Sequence, residues 1–399
     1  MANTDTSLPE NITVAEAAGR ALADAGACTV NCVPAAGATA VFEAWQACTG
    51  RSALWHYHEE VALGMAMGTS LAGRRSAVAV KAHGFAKAAN AAIDALPFGA
   101  EGGLVVIVTS DREGSSSDSI FDADAFVAGT QLPGLRLGAG DVYSGIVETF
   151  ARSESSGLPM VLIVEDRDLE QLVPSPPPAP ALPRSSVLPQ RDALRHTLFP
   201  GNSYPHEVAL AKLAGRDWKS IPRPELPLLP DGLPEKFRST ILSCAPVFDI
   251  LKGMRDEIDF IMGDTGISSL SVCPPWEIVD ATTYYGGSIP MAAGALQAGE
   301  RKAWAVTGDW SFAAAGHLGL HEAFRRELPV KVLIFHNGKA VATGGQVLDE
   351  DLFERLLKGY AAHVSRADVT DGEALRSTLC RAQRSERMEI VVVDFTLTT

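Results

Sequence analysis

Two residues at the ends of apolar runs have the types and spacing to hold a hard cation. Asp309 follows the run Ala303 to Thr307, and Asn337 follows Val330 to Phe335, 28 positions later (337 − 309). The segment between them has helical spacing, so the unit reads as strand–turn–helix–strand. In a parallel sheet such a unit delivers both residues to one edge. Magnesium takes six oxygens in near-octahedral geometry and often draws some from substrate phosphates. Asp309 offers a carboxylate, Asn337 a side-chain carbonyl, and Lys339 a backbone carbonyl as a third ligand. Gly308 and Gly338 let the backbone come close to a diphosphate. On the residues alone, Asp309 and Asn337 equally suit turn and cap roles at strand ends.

A second constellation is HYHEEVALGMAMGTSLAG, from His56 to Gly73. Its small residues let a helix pack closely on a neighbour. Glu59 and Glu60 are either first-turn acids that suit the helix dipole or a carboxylate placed at a buried face. A third is GDTGISS, from Gly263, Asp264 and Thr265 onward, followed by YYGGSIPMAAG, which contains Gly287, Ser288 and Ile289. Such turns at strand ends and helix starts present backbone amides to phosphate, or simply pack. His58 and His83 suit proton transfer near neutral pH, or are structural. His317 and His321 are four apart, but with no third ligand in sight they read as a helix face. Ser115 to Asp118 form a polar loop after an apolar strand. Trp55, Phe85, Trp276, Trp310 and Phe312 suit an aromatic-accepting pocket or the core. Lys81, Lys87 and Arg112 are candidate cations for an anionic substrate group, without forming an Arg cluster.

The elements that must position these residues alternate along the chain. Ala15 to Ala25 reads as a helix opened by a Thr13/Glu16 capping box. Glu60 to Leu71 and Ala86 to Leu96 read as helices. Cys28 to Val33, Ser76 to Val80, Leu104 to Thr109 and Met160 to Val164 read as strands. Fourteen of the 24 prolines fall between Pro174 and Pro234, including PSPPPAP, which marks an extended connection. Alternation then resumes with a helix near Val247 to Arg255, a strand Asp259 to Met262, the 303–345 unit and a last strand Ile390 to Phe395. The expected fold class is α/β: two doubly wound parallel-sheet domains, 1–173 and 239–399, joined by a Pro-rich linker, 174–238. With 399 residues there is chain enough for both cores, and 46% hydrophobic residues is an ordinary globular composition. A net charge of −14 argues against nucleic acid and anionic membrane as main partners. No secretory signal or long apolar run is seen, and the six cysteines contain no C-x-x-C pair. A cytoplasmic protein with reduced thiols is expected, without an iron–sulfur cluster or zinc ribbon.

The G-D-x at Gly308 to Trp310, with Asn337 beyond it, resembles the metal–diphosphate motif of thiamine-diphosphate enzymes. The resemblance implies that Asp309, Asn337 and the Lys339 carbonyl hold Mg2+, with Ser311, Ala340 and Val341 beside the thiamine diphosphate. The chain departs from the family in having Trp310 where Gly is frequent and His336 where a first Asn is frequent. In the E-x-x-A-x-x-x-A-x-G form of the family's other motif, Ala62, Ala66 and Gly68 fall in register with Glu59. Glu59 is then the carboxylate that hydrogen-bonds the aminopyrimidine and promotes its imino form. Ile289 resembles the bulky apolar residue that props the cofactor in a V shape.

Most of the chain outside 174–238 resembles the alpha subunit of indolepyruvate ferredoxin oxidoreductases, on GDTGISS, YYGGSIPMAAG, VALGMAMGTSLAGRRSAVAVK, EGGLVVIVTSD and SGLPMVLIVEDR. That family's cysteine-rich ferredoxin module is missing, while length and domain order look like the phosphonopyruvate and sulfopyruvate decarboxylases. The implied chemistry is decarboxylation of an aromatic or apolar 2-oxo acid, with the cofactor as electron sink. It ends in aldehyde release or in carboligation to a second carbonyl acceptor, giving an acyloin. A homodimer or homotetramer with active sites at the chain interface is implied as well. The alternatives are an oxidoreductase subunit with a separate iron–sulfur partner and a cofactor-binding, non-catalytic partner.

Overall fold

The computed structural model describes residues 9–177, 192, 194–199, 201–233 and 235–395. They divide into two units, one drawn from 1–66, 73–93 and 100–187 and the other from 67–72, 94–99 and 188–399. In the first unit, β1 (Thr29–Cys32), β2 (Ser76–Lys81), β3 (Leu104–Ser110), β4 (Gly134–Leu137) and β5 (Met160–Glu165) form one sheet. Its order is β1-β2-β3-β5-β4, and every pairing is parallel. Parallel strands covered on both faces need apolar side chains on both. β3 meets that need, since its whole run LVVIVTS is buried.

The helix Val14–Asp24 opens with the expected capping box. The Glu16 N–H donates to Thr13 Oγ1 at 3.1 Å, and the Thr13 N–H donates to Glu16 Oε2 at 2.7 Å. The helix Glu59–Leu71 is buried on every side from Val61 onward, which is why its apolar pattern has no polar face. The helix expected over Ala86 to Leu96 is instead two, Ala82–Lys87 and Ala89–Phe98. The chain turns at Ala88, whose N–H is shared between the carbonyls of Gly84 at 3.0 Å and Phe85 at 3.1 Å.

In the second unit, β6 (Phe260–Asp264), β7 (Ala281–Thr283), β8 (Ala303–Gly308), β9 (Lys331–His336), β10 (Val364–Asp368) and β11 (Glu389–Asp394) lie in the order β10-β11-β9-β8-β6-β7. All pairings are again parallel. The chain leaves β6 towards one edge, through β7, and leaves β8 towards the other, through β9. The strand order therefore reverses between β6 and β8. In open α/β sheets the crevice beyond the carboxyl ends at such a point is the usual place for a ligand. Asp264 ends β6, and Asp309 follows β8 directly.

Within these two sheets, three strands have no counterpart among the sequence expectations: β4, β7 and β10. All three are sheet edges, and their sequences GLRL, ATT and VSRAD lack the continuous apolar run of a central strand. The Pro-rich stretch is not extended throughout. Tyr204–Leu213 is a helix with Pro205 in its first turn, and Leu194, Tyr204 and Val208 form a small apolar cluster. Residues 178–180 of the PSPPPAP run lie outside the described residues.

Close packing in the first unit yields a stability test. A Cβ on Gly19 would lie 2.5 Å from the Ala44 backbone carbon and 2.5 Å from the Trp45 nitrogen, and backbone has little freedom to move aside. Gly19→Ala is expected to cost roughly 1–3 kcal/mol. Its thermal midpoint should fall by several degrees. Gly129→Ala, where the added carbon meets nothing within 4 Å, should stay near wild type.

Candidate functional site

Asp264 is fully buried at the carboxyl end of β6. Its Oδ2 accepts from Thr307 Oγ1 at 2.7 Å, Ser311 Oγ at 2.7 Å and the Gly286 N–H at 3.1 Å. One carboxylate thus binds the end of β8, the helix after it and the turn before the Ser288–Gln297 helix. Burial pushes the Asp264 carboxyl up to about 7, against the pull of those three donors. Thr307 and Gly286 join this cluster without being singled out by the sequence alone. Their only signals are a threonine closing an otherwise apolar strand and a glycine pair before a helix.

Asp309 lies one step further on and is also buried. Its Oδ1 accepts from the Trp310 N–H at 2.7 Å, and its Oδ2 from the N–H groups of Asn337 at 2.9 Å and Gly338 at 2.7 Å. Burial raises its pKa, opposed by those backbone donors. Asn337 Oδ1 accepts from the Lys339 N–H at 2.8 Å, an Asx turn. The fold therefore brings Asp309, Asn337 and Lys339 together, and Asp309 and Asn337 do serve as turn braces. A carboxylate has about four acceptor positions and an amide oxygen about two, so both retain capacity for a cation. Beside them, His336 Nδ1 meets Asp394 Oδ1 at 2.6 Å and Nε2 meets Glu350 Oε2 at 3.0 Å. Burial disfavours its charge, but those two carboxylates outweigh it and raise its pKa.

The surrounding chain leaves room and unspent polar atoms. Gly266 has φ +133° and open space where a Cβ would stand, with no atom within 4 Å. Gly286 has φ +85°, and a Cβ there would strike the Gly316 nitrogen at 2.7 Å. Asp264 Oδ1, Thr283 Oγ1, Ser288 Oγ and Trp310 Nε1 are buried and have no hydrogen-bond partner among the described residues. Such atoms are costly unless something polar meets them. The Tyr285 hydroxyl is pushed up to about 12 by burial and by the charges of Asp264 and Asp309. Gly263 is buried within β6, and Gly287 and Ile289 are buried at the start of the Ser288–Gln297 helix. Thr265 is exposed and donates to the Thr283 carbonyl at 3.2 Å. Gly308 ends β8 with open space around it. Ala340 pairs with Gln346 in a short hairpin, and Val341 starts the turn that follows.

In the first unit, Glu59 begins the Glu59–Leu71 helix and meets the Ala82–Lys87 helix. Lys87 Nζ is 3.2 Å from Glu59 Oε2. Its neighbour Glu60 has a raised pKa through burial, with Asn90 and the Ala91 N–H pulling the other way. His58 caps the same helix through its carbonyl, which accepts from the Ala62 N–H at 3.0 Å. His83 is exposed, with Nε2 at 3.0 Å from Ser119 Oγ and its ring edge-on to Phe121 at 5.0 Å. The three candidate cations are all engaged elsewhere. Lys87 pairs with Glu59, Lys81 donates to Ser116 Oγ at 2.9 Å, and Arg112 pairs with Asp124 at 2.5 Å. They form no clamp, because three different acidic or polar partners hold them. Phe85, Trp276 and Phe312 are core residues.

Residues 271–395 match the family described as thiamine pyrophosphate enzyme, C-terminal TPP binding domain. The chain has a thiamine-diphosphate-enzyme fold. A solved Rhodococcus jostii RHA1 structure, named a thiamine diphosphate-dependent 4-hydroxybenzoylformate decarboxylase, is similar with a TM-score of 0.63. The two share 16% identity over 97% of this chain and 99% of the other. No curated protein matches the chain in sequence. The unspent donors Thr283 Oγ1, Ser288 Oγ and Trp310 Nε1, with the open glycine turn, fit a diphosphate group, whereas Asp264 Oδ1 is an acceptor and suits a donor on the ligand. Among the described residues no three His, Cys, Asp or Glu side chains gather as a metal site, so His317 and His321 form no such site. His317 Nδ1 instead lies 3.2 Å from the Phe312 carbonyl. No helix of the described residues is long and apolar enough to cross a membrane.

Asp264 gives this site a signed pH dependence. Its folded-state pKa of about 7 lies above the ordinary 3.8, so the native state binds the proton more tightly than the unfolded chain. Stability from this group is present at low pH and is lost as pH rises through that window. Thermal melts from about pH 5 to about pH 8 should show a larger fall for wild type than for Asp264→Asn, by an amount of order a few kcal/mol. Equal falls would contradict the assignment.

Proposed function

We propose that this chain is a thiamine-diphosphate- and Mg2+-dependent 2-oxo acid decarboxylase or carboligase. The observation that carries the reading is the buried Asp309 carboxylate bonded to the Asn337–Gly338 backbone. It stands where the strand order reverses, inside the segment that matches a TPP binding domain. In this reading residues 1–173 form a pyrimidine-binding domain and 239–399 a diphosphate-binding domain. Asp309, Asn337 and the Lys339 carbonyl hold the metal. Gly263 to Thr265, Gly287 to Ile289, Gly308 to Ser311 and Ala340 to Val341 line the cofactor. Glu59 hydrogen-bonds the aminopyrimidine. Bound thiamine diphosphate supplies the electron sink for the carbon–carbon bond that breaks as carbon dioxide leaves.

The proton or second carbonyl that ends the reaction is the chain's affair. In this reading the proton is moved by His83, held by Ser119 and Phe121, or by His58 at the start of the Glu59 helix. An aromatic or other apolar 2-oxo acid suits a site where Lys81, Lys87 and Arg112 form no clamp among the described residues. The solved structure of similar fold bears the name of an aryl 2-oxo acid decarboxylase. The resemblance to phosphonopyruvate and sulfopyruvate decarboxylases supports reaction without oxidation, and so does the absence of a C-x-x-C pair. The chain works as a homodimer or a dimer of dimers.

Asp309→Ala should abolish metal-dependent binding of thiamine diphosphate in calorimetry, while an unchanged affinity would sink the metal assignment. Glu59→Gln should keep cofactor binding and lose at least about tenfold in turnover. A panel of 2-oxo acids, followed by carbon dioxide release and mass spectrometry of products, separates aldehyde from acyloin. Turnover that appears only with an added iron–sulfur protein and acceptor would move the assignment to the oxidoreductase class.

A further inference from the structure

The Ala82–Lys87 helix follows β2 and turns its residues in two directions. His83 faces Ser119 and Phe121. Gly84 and Lys87, three apart and therefore on one helical face, both meet Glu59. A Cβ on Gly84 would lie 2.9 Å from Glu59 Cγ and 3.1 Å from Oε1, so glycine is what lets the glutamate side chain lie across this helix. Lys87 Nζ stands 3.2 Å from Glu59 Oε2. That oxygen is buried and lacks a hydrogen bond of acceptable geometry among the described residues, so the contact is an ion pair held by charge and not by a directed bond.

We propose that Lys87 is a built-in competitor for Glu59, holding the carboxylate that a cofactor's aminopyrimidine ring must take. The inference rests on the reading of Glu59 given above. The Glu59 side chain is 14% exposed, and a carboxylate so placed needs a positive or hydrogen-bonding partner. The Lys87 side chain is 52% exposed on a flexible stem, so its ammonium passes from the carboxylate to water with little loss. The pair therefore holds the Glu59 side chain in place, yet is weak enough to yield. Its removal should tighten cofactor binding modestly, because the ring then displaces nothing.

The test is a double-mutant cycle read by calorimetric titration of the full chain with thiamine diphosphate and Mg2+. Lys87→Met keeps the stem and removes the charge, and should bind about threefold to fivefold more tightly. Lys87→Arg keeps the charge and should bind like wild type. In a Glu59→Gln background, Lys87→Met should change nothing, because the amide carries no charge to hold. Binding by Lys87→Met that equals or is weaker than wild type overturns the proposal. So does a tightening that persists beside Glu59→Gln, since Lys87 would then be acting elsewhere. Failure of the underlying reading looks different: Glu59→Gln itself would leave turnover of 2-oxo acids unchanged, or no form of the chain would take up the cofactor.

Discussion

The candidate site depends on one carboxylate accepting three backbone N–H groups. Asp309 takes those of Trp310, Asn337 and Gly338, and so ties the start of the helix after β8 to the turn after β9. Gly338 sits there with φ +67°, and the hairpin Lys339–Ala340 with Gln346–Val347 hangs from it. A buried carboxylate is expensive unless it is met by donors, and backbone amides are donors that no side-chain motion can withdraw. Those three bonds leave Asp309 with acceptor capacity to spare. In the proposed reading, one geometry both braces the turn and holds the cation.

Asp264 adds a second carboxylate at the same edge, with a different balance. Its donors are two hydroxyls and one amide, all on Oδ2, and the other oxygen is left bare among the described residues. Burial wins over those bonds, whereas a surface aspartate would be ionised without cost. A fold that only needed stability would gain by replacing this acid. Costly groups of this kind gather where a ligand is to be met. Thr283 and Ser288, buried nearby in the chain with hydroxyls that lack a partner among the described residues, follow the same pattern.

Much of this is legible in the residues. Central parallel strands announce themselves as continuous apolar runs, and the runs place β3, β5, β8, β9 and β11 within one or two residues. Edge strands such as VSRAD carry polar residues because one side has no neighbour, so β4, β7 and β10 leave no such mark. Asp309 and Asn337 stand out by type and spacing. Their backbone bonds to one another do not, because a spacing of 28 residues says which edge they reach and not which atoms meet. Lys87 is visible in the sequence as a cation, and its expected partner there is substrate. Only the fold shows that Gly84 clears a path for Glu59 and that Lys87 lies at its end. The kink at Ala88 that sets this short helix apart has no marker in the sequence AKAANAA.

The two carboxylate-bearing regions thus differ in how their charge is answered: Asp309 by fixed backbone amides, Glu59 by one movable ammonium. The first suits a permanent metal anchor and the second a group that exchanges partners. The most direct test of the central claim is calorimetric titration of the wild-type chain with thiamine diphosphate, with Mg2+ present and after its removal by chelation. Saturable binding that disappears when Mg2+ is removed is the predicted result. Binding indifferent to the metal, or no binding by a chain shown to be folded, would contradict the account.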